Sequence, residues 1–226
     1  MSPYSSPILL AFSNSTRNLA AEELVGLLHS YFTDFDNIAI RYGLEKLKTI
    51  GDSYMCVGGM PVRTPSHPVD MVMAAFEMLD IVKQRASGSP SWSVRIGIHT
   101  GPVIAGVVGI RKFAFDIWGE SVNLASRMES SGARDCINIS AQTHARVKDF
   151  FAVDARGAVM TKDKLGHEMY FVRGIIPSLM DSAGAVPPPS FARRYRIYFQ
   201  KEPPAFPAGT LCQPHEIAAP LIALPE

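Results

Sequence analysis

Between residues 19 and 40, apolar side chains recur at Leu24, Leu27, Leu28, Tyr31, Phe32, Phe35 and Ile38. Steps of three and four residues wrap one stripe around a helix, so the spacing predicts an amphipathic helix here. Glu22 and Glu23 fall in its first turn, where carboxylates complement the helix dipole. A second stripe, through Val69, Val72, Met73, Phe76, Leu79 and Val82, predicts another helix over 67–86. Between the two helices, 45–50 and 53–57 read as short strands separated by Gly51-Asp52, the two-residue spacing of a hairpin. Apolar, β-branched runs at 92–99 and 103–110, broken by Thr100-Gly101-Pro102, suggest a second hairpin. Further on, 121–130 reads as helix, 137–140 as a short strand and 142–149 as a short helix. Residues 151–154 and 169–172 then read as a closing pair of strands. Helices mixed with antiparallel pairs predict an α+β domain whose sheet is layered by helices.

Beyond Arg173 this patterning stops. Ten of the 17 prolines lie between Pro177 and Pro225, and proline can neither donate to a ladder nor continue a helix. The expectation is one domain over 1–174 and a Pro-rich tail over 175–226. That tail is read as a partly disordered linker, with 193–199 as its one strand-like island. A chain of 226 residues suits one core with such an appendage. Basic and acidic residues nearly balance, 22 against 21, and no long basic run is present, which argues against a nucleic-acid partner. Cys56, Cys136 and Cys212 are far apart and odd in number, which argues against a disulfide framework or zinc site and for a reducing cytoplasm. The apolar run at 8–12 is far shorter than a membrane span, so no membrane segment is expected in this chain. A longer parent protein could still be anchored upstream.

Several polar residues could carry chemistry. Asp52 at the tight turn is either a ligand for a hard divalent cation or simply a turn residue. Lys48 and Asp116 are either a pair that reads a base edge or two solvated charges. Asn123 and Arg127, four apart on a predicted helix, share one face and could touch one ligand, since a planar guanidinium suits phosphate oxygens. An exposed polar stripe with Arg127 in an ion pair is the alternative. His67 and His99 have no spaced partner suggesting a metal or a triad, so a structural role is expected for both.

Three segments decide between these readings. They run Glu45-Lys46-Leu47-Lys48-Thr49-Ile50-Gly51-Asp52-Ser53-Tyr54-Met55, then Arg95-Ile96-Gly97-Ile98-His99-Thr100-Gly101-Pro102, then Phe115-Asp116-Ile117-Trp118-Gly119-Glu120-Ser121-Val122-Asn123-Leu124-Ala125-Ser126-Arg127-Met128-Glu129. In this combination, order and spacing the chain resembles the class III adenylyl and guanylyl cyclases over about residues 12–174. The resemblance implies the class III cyclase fold, a mainly antiparallel, ferredoxin-like βαββαβ sheet with helices packed on it.

It also implies an activity, conversion of ATP to 3′,5′-cyclic AMP and diphosphate for intracellular signal transduction. By the resemblance Lys48 and Asp116 bind the purine, and lysine with aspartate is the pairing associated with adenine. Asn123 orients the ribose, Arg127 stabilises charge developing on the phosphates, and Asp52 binds metal. Lys162, in Thr161-Lys162-Asp163-Lys164, matches a lysine that contacts the terminal phosphates, although Asp163 and Leu165 replace glycines of the usual Lys-Gly-Lys-Gly. Two Mg²⁺ or Mn²⁺ per site are implied, in a site shared across a homodimer or with another cyclase domain.

The family usually opens with a strand ending in Phe-Ala-Asp-Ile-Val-Gly-Phe-Thr, whose aspartate is the second metal carboxylate. Aligning residues 11–13 to Gly-Phe-Thr puts Ile8 at that aspartate, and no acidic residue precedes Glu22. The domain is therefore expected to be incomplete or altered in its first strand. A second reading stays open, a catalytically impaired module that binds nucleotide or pairs with an intact cyclase. A diguanylate cyclase should show Gly-Gly-Asp/Glu-Glu-Phe at the central turn, where this chain has Ile50-Gly51-Asp52-Ser53.

Overall fold

A computed structural model describes residues 5–13, 20–85, 92–109, 111, 113–181 and 187–205. The first half runs β1 (Ser6–Ser13), α1 (Ala21–Arg41), β2 (Glu45–Ile50), β3 (Ser53–Gly58), α2 (His67–Arg85), β4 (Ser93–Ile98), β5 (Ile104–Val108) and β6 (Ala114–Trp118). The second half runs α3 (Glu120–Ser130), β7 (Cys136–Ser140), α4 (Ala141–Val147), β8 (Phe151–Met160), β9 (Gly166–Ile175) and α5 (Pro189–Phe199). Seven strands form one sheet in the order β2-β3-β1-β4-β7-β9-β8, antiparallel throughout except for the parallel neighbours β4 and β7. The mixed α+β architecture expected from the periodicities is the one observed.

Alternation along the central strands separates two faces. Ile8, Leu10 and Phe12 of β1, with Tyr54, Val94, Ile96 and Ile98, join α1 and α2 in one core. Phe12, Tyr31 and Trp92 meet there with ring centroids 4.9–5.5 Å apart. Burying each such ring stabilises the fold by roughly 2–3 kcal/mol. The other helix, α2, is buried at every residue from His67 to Leu79, so its polar groups need partners inside the protein. Two are met by a belt of short bonds: His67 Nδ1 to Ser6 Oγ at 2.9 Å, and Ser66 Oγ donating to Asp70 at 2.6 Å.

Three expectations from sequence change. The run 103–110 does not form a hairpin with 92–99, because both edges of β4 are already taken by β1 and β7. Residues Ile104–Val108 instead pair with β6 in a separate two-stranded ribbon. The closing strands are far longer than 151–154 and 169–172, extending as β8 and β9 to a turn at 161–165.

The third change is that residues 193–199 are helical, within α5. Tyr195, Ile197 and Phe199 alternate as a strand would, but Phe191, Tyr195 and Phe199 also repeat every four residues. The four-residue stripe wins because Phe150 receives it, with centroids 5.5, 6.4 and 5.6 Å away. Ile197 is left 66% exposed. Tyr195 Oη donates to the buried Asp70 carboxylate, and Lys201 Nζ approaches it at 3.3 Å. The stretch 206–226, expected to be linker, lies outside the described residues. No described helix is long and apolar enough to cross a membrane.

Candidate active site

The position of α3 is set by one glycine. A Cβ on Gly97 of β4 would stand 2.0 Å from the Glu129 amide nitrogen and 2.6 Å from the Ala125 carbonyl, so any side chain there would lift α3 off the sheet. Arg95, two residues earlier, reaches Glu129 with Nε at 2.8 Å and Nη2 at 2.7 Å. Asn138 Nδ2 donates to the Met128 carbonyl at 2.8 Å and holds the far end of the helix. Burial pushes the Glu129 carboxyl above its ordinary value, with Arg95 pulling it back and the charge of Asp52 adding to the rise.

Held this way, α3 turns Asn123, Ser126, Arg127 and Ser130 toward the β8–β9 turn. The spacing i, i+3, i+4, i+7 is one helical face. With Lys162 and Asp163 from the turn they line a cleft of about 420 Å³. Arg127 Nη2 lies 3.0 Å from Asp163 Oδ2. The turn is ordered by its own backbone, with the Lys164 amide donating to Thr161 O at 2.8 Å and the Thr161 amide to Leu165 O at 3.0 Å. Thr161 Oγ1 donates to Asp163, and this bond, ahead of the Arg127 charge, holds the Asp163 carboxyl below the usual carboxylate range.

A second pair forms where the ribbon crosses the sheet edge. Ile117 of β6 is buried against Met55 and Val57 of β3, which seats the ribbon over β2. Lys48, just past a register shift in β2, thereby meets Asp116, and Lys48 Nζ donates to Asp116 Oδ2. The other carboxylate oxygen accepts from the Ile117 amide at 2.9 Å. Desolvation pushes Asp116 upward, but the hydrogen bonds from Lys48 and Ile117 together with the Lys48 charge outweigh it and leave the carboxyl below its ordinary value.

Asp52 stands apart from both groups. It is half-buried at the β2–β3 turn and is absent from the residues lining the cleft. The strand register gives the position opposite it. Ile8 pairs with Cys56 and Ala11 with Ser53, so the β1 residue level with Asp52 is Phe12, four residues beyond Ile8. Phe12 is buried among aromatic rings and offers no oxygen. Glu129, the carboxyl that feels Asp52, is committed to Arg95. Among the described residues no group of three or more His, Cys, Asp or Glu could hold a metal ion. Two close dications need several anionic oxygens, so this donor set does not fit the two-metal site implied by the resemblance.

The structure thus brings Asn123, Arg127 and Lys162 into one cleft and Lys48 and Asp116 into one pair. Sequence reasoning missed Ser126 and Ser130, legible only as further members of the Asn123 face; the ion pair it offered as an alternative for Arg127 is present, with Asp163 as the partner it did not name. Both histidines are buried and bonded, His99 Nδ1 to Ser140 Oγ at 2.9 Å.

Comparison with known proteins places this geometry. An adenylate cyclase of Mycobacterium tuberculosis is 38% identical over 158 residues, covering 69% of this chain and 35% of its own length. The chain therefore spans about a third of that relative. The guanylate cyclase domain of RhGC from Catenaria anguillulae, solved in complex with GTP, superposes with a TM-score of 0.71 at 30% identity, over 75% of this chain and 96% of that domain. The adenylyl cyclase CyaB from P. aeruginosa superposes with a TM-score of 0.70 at 28% identity, over 75% of this chain and 93% of its own. Residues 9–174 match the family described as the adenylate and guanylate cyclase catalytic domain, and the chain belongs to that class III cyclase family.

Proposed function

We propose that this chain carries the base- and polyphosphate-binding face of an adenylate cyclase site, serving conversion of ATP to 3′,5′-cyclic AMP and diphosphate in intracellular signal transduction. Its similar proteins include both adenylate and guanylate cyclases, so base choice rests on this chain's own residues. The observation that carries the reading is the Lys48–Asp116 pair. Adenine presents an acceptor, N1, beside an exocyclic amine, and an ammonium donor next to a carboxylate acceptor complements both. Guanine presents a donor and a carbonyl in the same places, which inverts the match.

In the reaction the ribose 3′-oxygen attacks the α-phosphorus, the bond from that phosphorus to the bridging oxygen of the β-phosphate breaks, and diphosphate leaves with the electron pair. The proton of the 3′-hydroxyl leaves to solvent, balancing the products as cyclic AMP, diphosphate and one proton. Asn123 holds the ribose in line, and Arg127, one turn along α3, faces the charge that builds on the phosphates. Lys162 on the turn neutralises the terminal phosphates. Removing a preorganised donor of this kind costs roughly 10²–10³ in rate.

The site is completed by a second subunit. The β5–β6 ribbon exposes Ile104, Val107 and Val108, and Trp118 at its end, an apolar surface suited to a partner chain. A homodimer is one such partner. Phe12 beside Asp52 favours the second reading, in which the partner is another cyclase domain that brings a complete set of carboxylates for Mg²⁺ or Mn²⁺.

Base selection is tested by competing a fluorescent nucleotide from the purified chain with ATP and with GTP. The wild type is expected to prefer ATP by about tenfold, and Lys48→Glu with Asp116→Cys to lose or reverse that preference, since one mismatched polar pair is worth about 1–3 kcal/mol. An unchanged ATP/GTP ratio would remove the adenine assignment.

A further inference from the structure

The β8–β9 turn puts an anion where the proposed function needs a phosphate. Asp163 Oδ2 is 3.0 Å from Arg127 Nη2, inside the cleft that Asn123 and Lys162 also line. Its position is maintained by Thr161 Oγ1, which donates to Oδ1, and by a turn whose backbone bonds leave Lys164 at a left-handed φ of 62°. The carboxylate is neither a floppy surface charge nor a partner chosen by chance among many. Guanidinium with carboxylate and guanidinium with phosphate use the same planar N–H donors, so the two acceptors compete for one side chain.

A second partner stands on the other side. His167 Nε2 is buried, lacks a hydrogen-bond partner, and lies 3.9 Å from the same Asp163 oxygen. A carboxylate displaced from Arg127 therefore has an acceptor role waiting within a short side-chain movement, so the turn can yield without unfolding.

Resting on the cyclase reading above, we propose that Asp163 is a built-in competitor for polyphosphate. In the free chain it neutralises Arg127, and a bound nucleotide must displace it toward His167. Asp163 thereby sets the affinity of the cleft for the phosphate chain and releases Arg127 only to a multiply charged ligand. Asp163 positions Arg127 and touches no reacting atom. The cleft carries Arg127 and Lys162 against Asp163, so one of its two positive charges is cancelled before ligand arrives. A monophosphate, with few charges to offer, is disfavoured more than a triphosphate.

The test is equilibrium binding of tripolyphosphate and of ATP to the whole purified chain at fixed ionic strength, where screening is constant. Asp163→Asn keeps the acceptor for Thr161 and removes the charge; Asp163→Ser is a second, smaller replacement should the first disturb the turn. Both are expected to tighten tripolyphosphate binding about tenfold, while adding Arg127→Ala should shrink that gain to threefold or less. A Kd within twofold of wild type in both variants, while Arg127→Ala alone weakens binding, would overturn the competitor and leave the phosphate site intact. If Arg127→Ala leaves tripolyphosphate and ATP binding unchanged, the phosphate site itself is misplaced and the cyclase reading of this cleft goes with it.

Discussion

On one face of the sheet α1 and α2 close over Phe12, Tyr31, Phe35 and Trp92, none more than 4% exposed. On the other, α3 rests on a glycine and presents Asn123, Arg127 and a loose polar cleft to ligand. The first face is a dry aromatic core extended by a C-terminal helix; the second is held by a few specific bonds, Arg95 to Glu129 and Asn138 to Met128 among them. The difference teaches where each kind of change should act. Substitutions under the sealed face should move stability and spare ligand affinity, and those around the cleft should do the reverse. One element, β4, belongs to both, since Ile96 and Ile98 are in the core and Gly97 carries α3.

The substitution that should break this division most completely is Gly97→Ala. Its new Cβ meets backbone rather than a flexible side chain, so α3 must shift or the strand must twist, at a cost of about 3 kcal/mol or more. Thermal unfolding should fall and nucleotide binding should vanish together. A variant that keeps its melting temperature and its ATP affinity would show that α3 is not seated as described.

Acid provides the next largest effect, through two buried histidines, His67 of α2 and His99, which bonds Ser140 and feels His167. Burial lowers His67 and His99 to about 4, His67 helped by the Arg146 charge and His99 by His167. The unfolded chain takes up these protons below about pH 6.5, whereas the folded chain resists until about pH 4. Their contribution is therefore present above pH 6.5 and is lost as pH falls toward 4. Asp70, Glu77 and Glu129, raised by burial, work in the opposite direction over acid pH. His67→Asn with His99→Asn should flatten the melting temperature between pH 6.5 and 4.5; an unaltered slope would assign acid sensitivity elsewhere. Asp116 and Asp163 remain ionised across most of this range, so binding should fail only as the protein unfolds.

Tyr195→Phe sharpens the comparison with the smallest effect. It removes one donor from the buried Asp70 while Ser66 and Lys201 remain. The expected loss is about 1–2 kcal/mol, or a few degrees in melting temperature, with nucleotide affinity unchanged. A loss of binding would mean that α5 communicates with the cleft.

Much of this organisation could be read from the chain. The stripes of α1 and α2 were plain because their apolar residues repeat over about four turns, and α3 was plain because Asn123 and Arg127 fall on one face. The two-residue turn at Gly51-Asp52 was equally visible, and Gly51 indeed adopts a left-handed φ of 61°. The ribbon was not, because a strand's sequence does not name its neighbour: 103–110 suits a partner at 92–99 as well as one at 114–118. Nor was α5, since Tyr195 and Phe199 satisfy both a two-residue and a four-residue period. At the first strand the absence of an acidic residue before Glu22 was evident, but the strand register that sets Phe12 level with Asp52 was not.

Local periodicity by itself marked α1, α2 and α3 and the layered sheet, and the family resemblance named the side chains that could meet a nucleotide. Tertiary structure alone decided that Arg127 already holds Asp163, that Phe12 stands level with Asp52 by strand register, and that Phe150 draws residues 189–199 into a helix. The reason is range. Periodicity is a property of neighbours a few residues apart, whereas these three pairings join groups 36 to 49 residues apart or lie across a strand register, and only the folded sheet sets those distances.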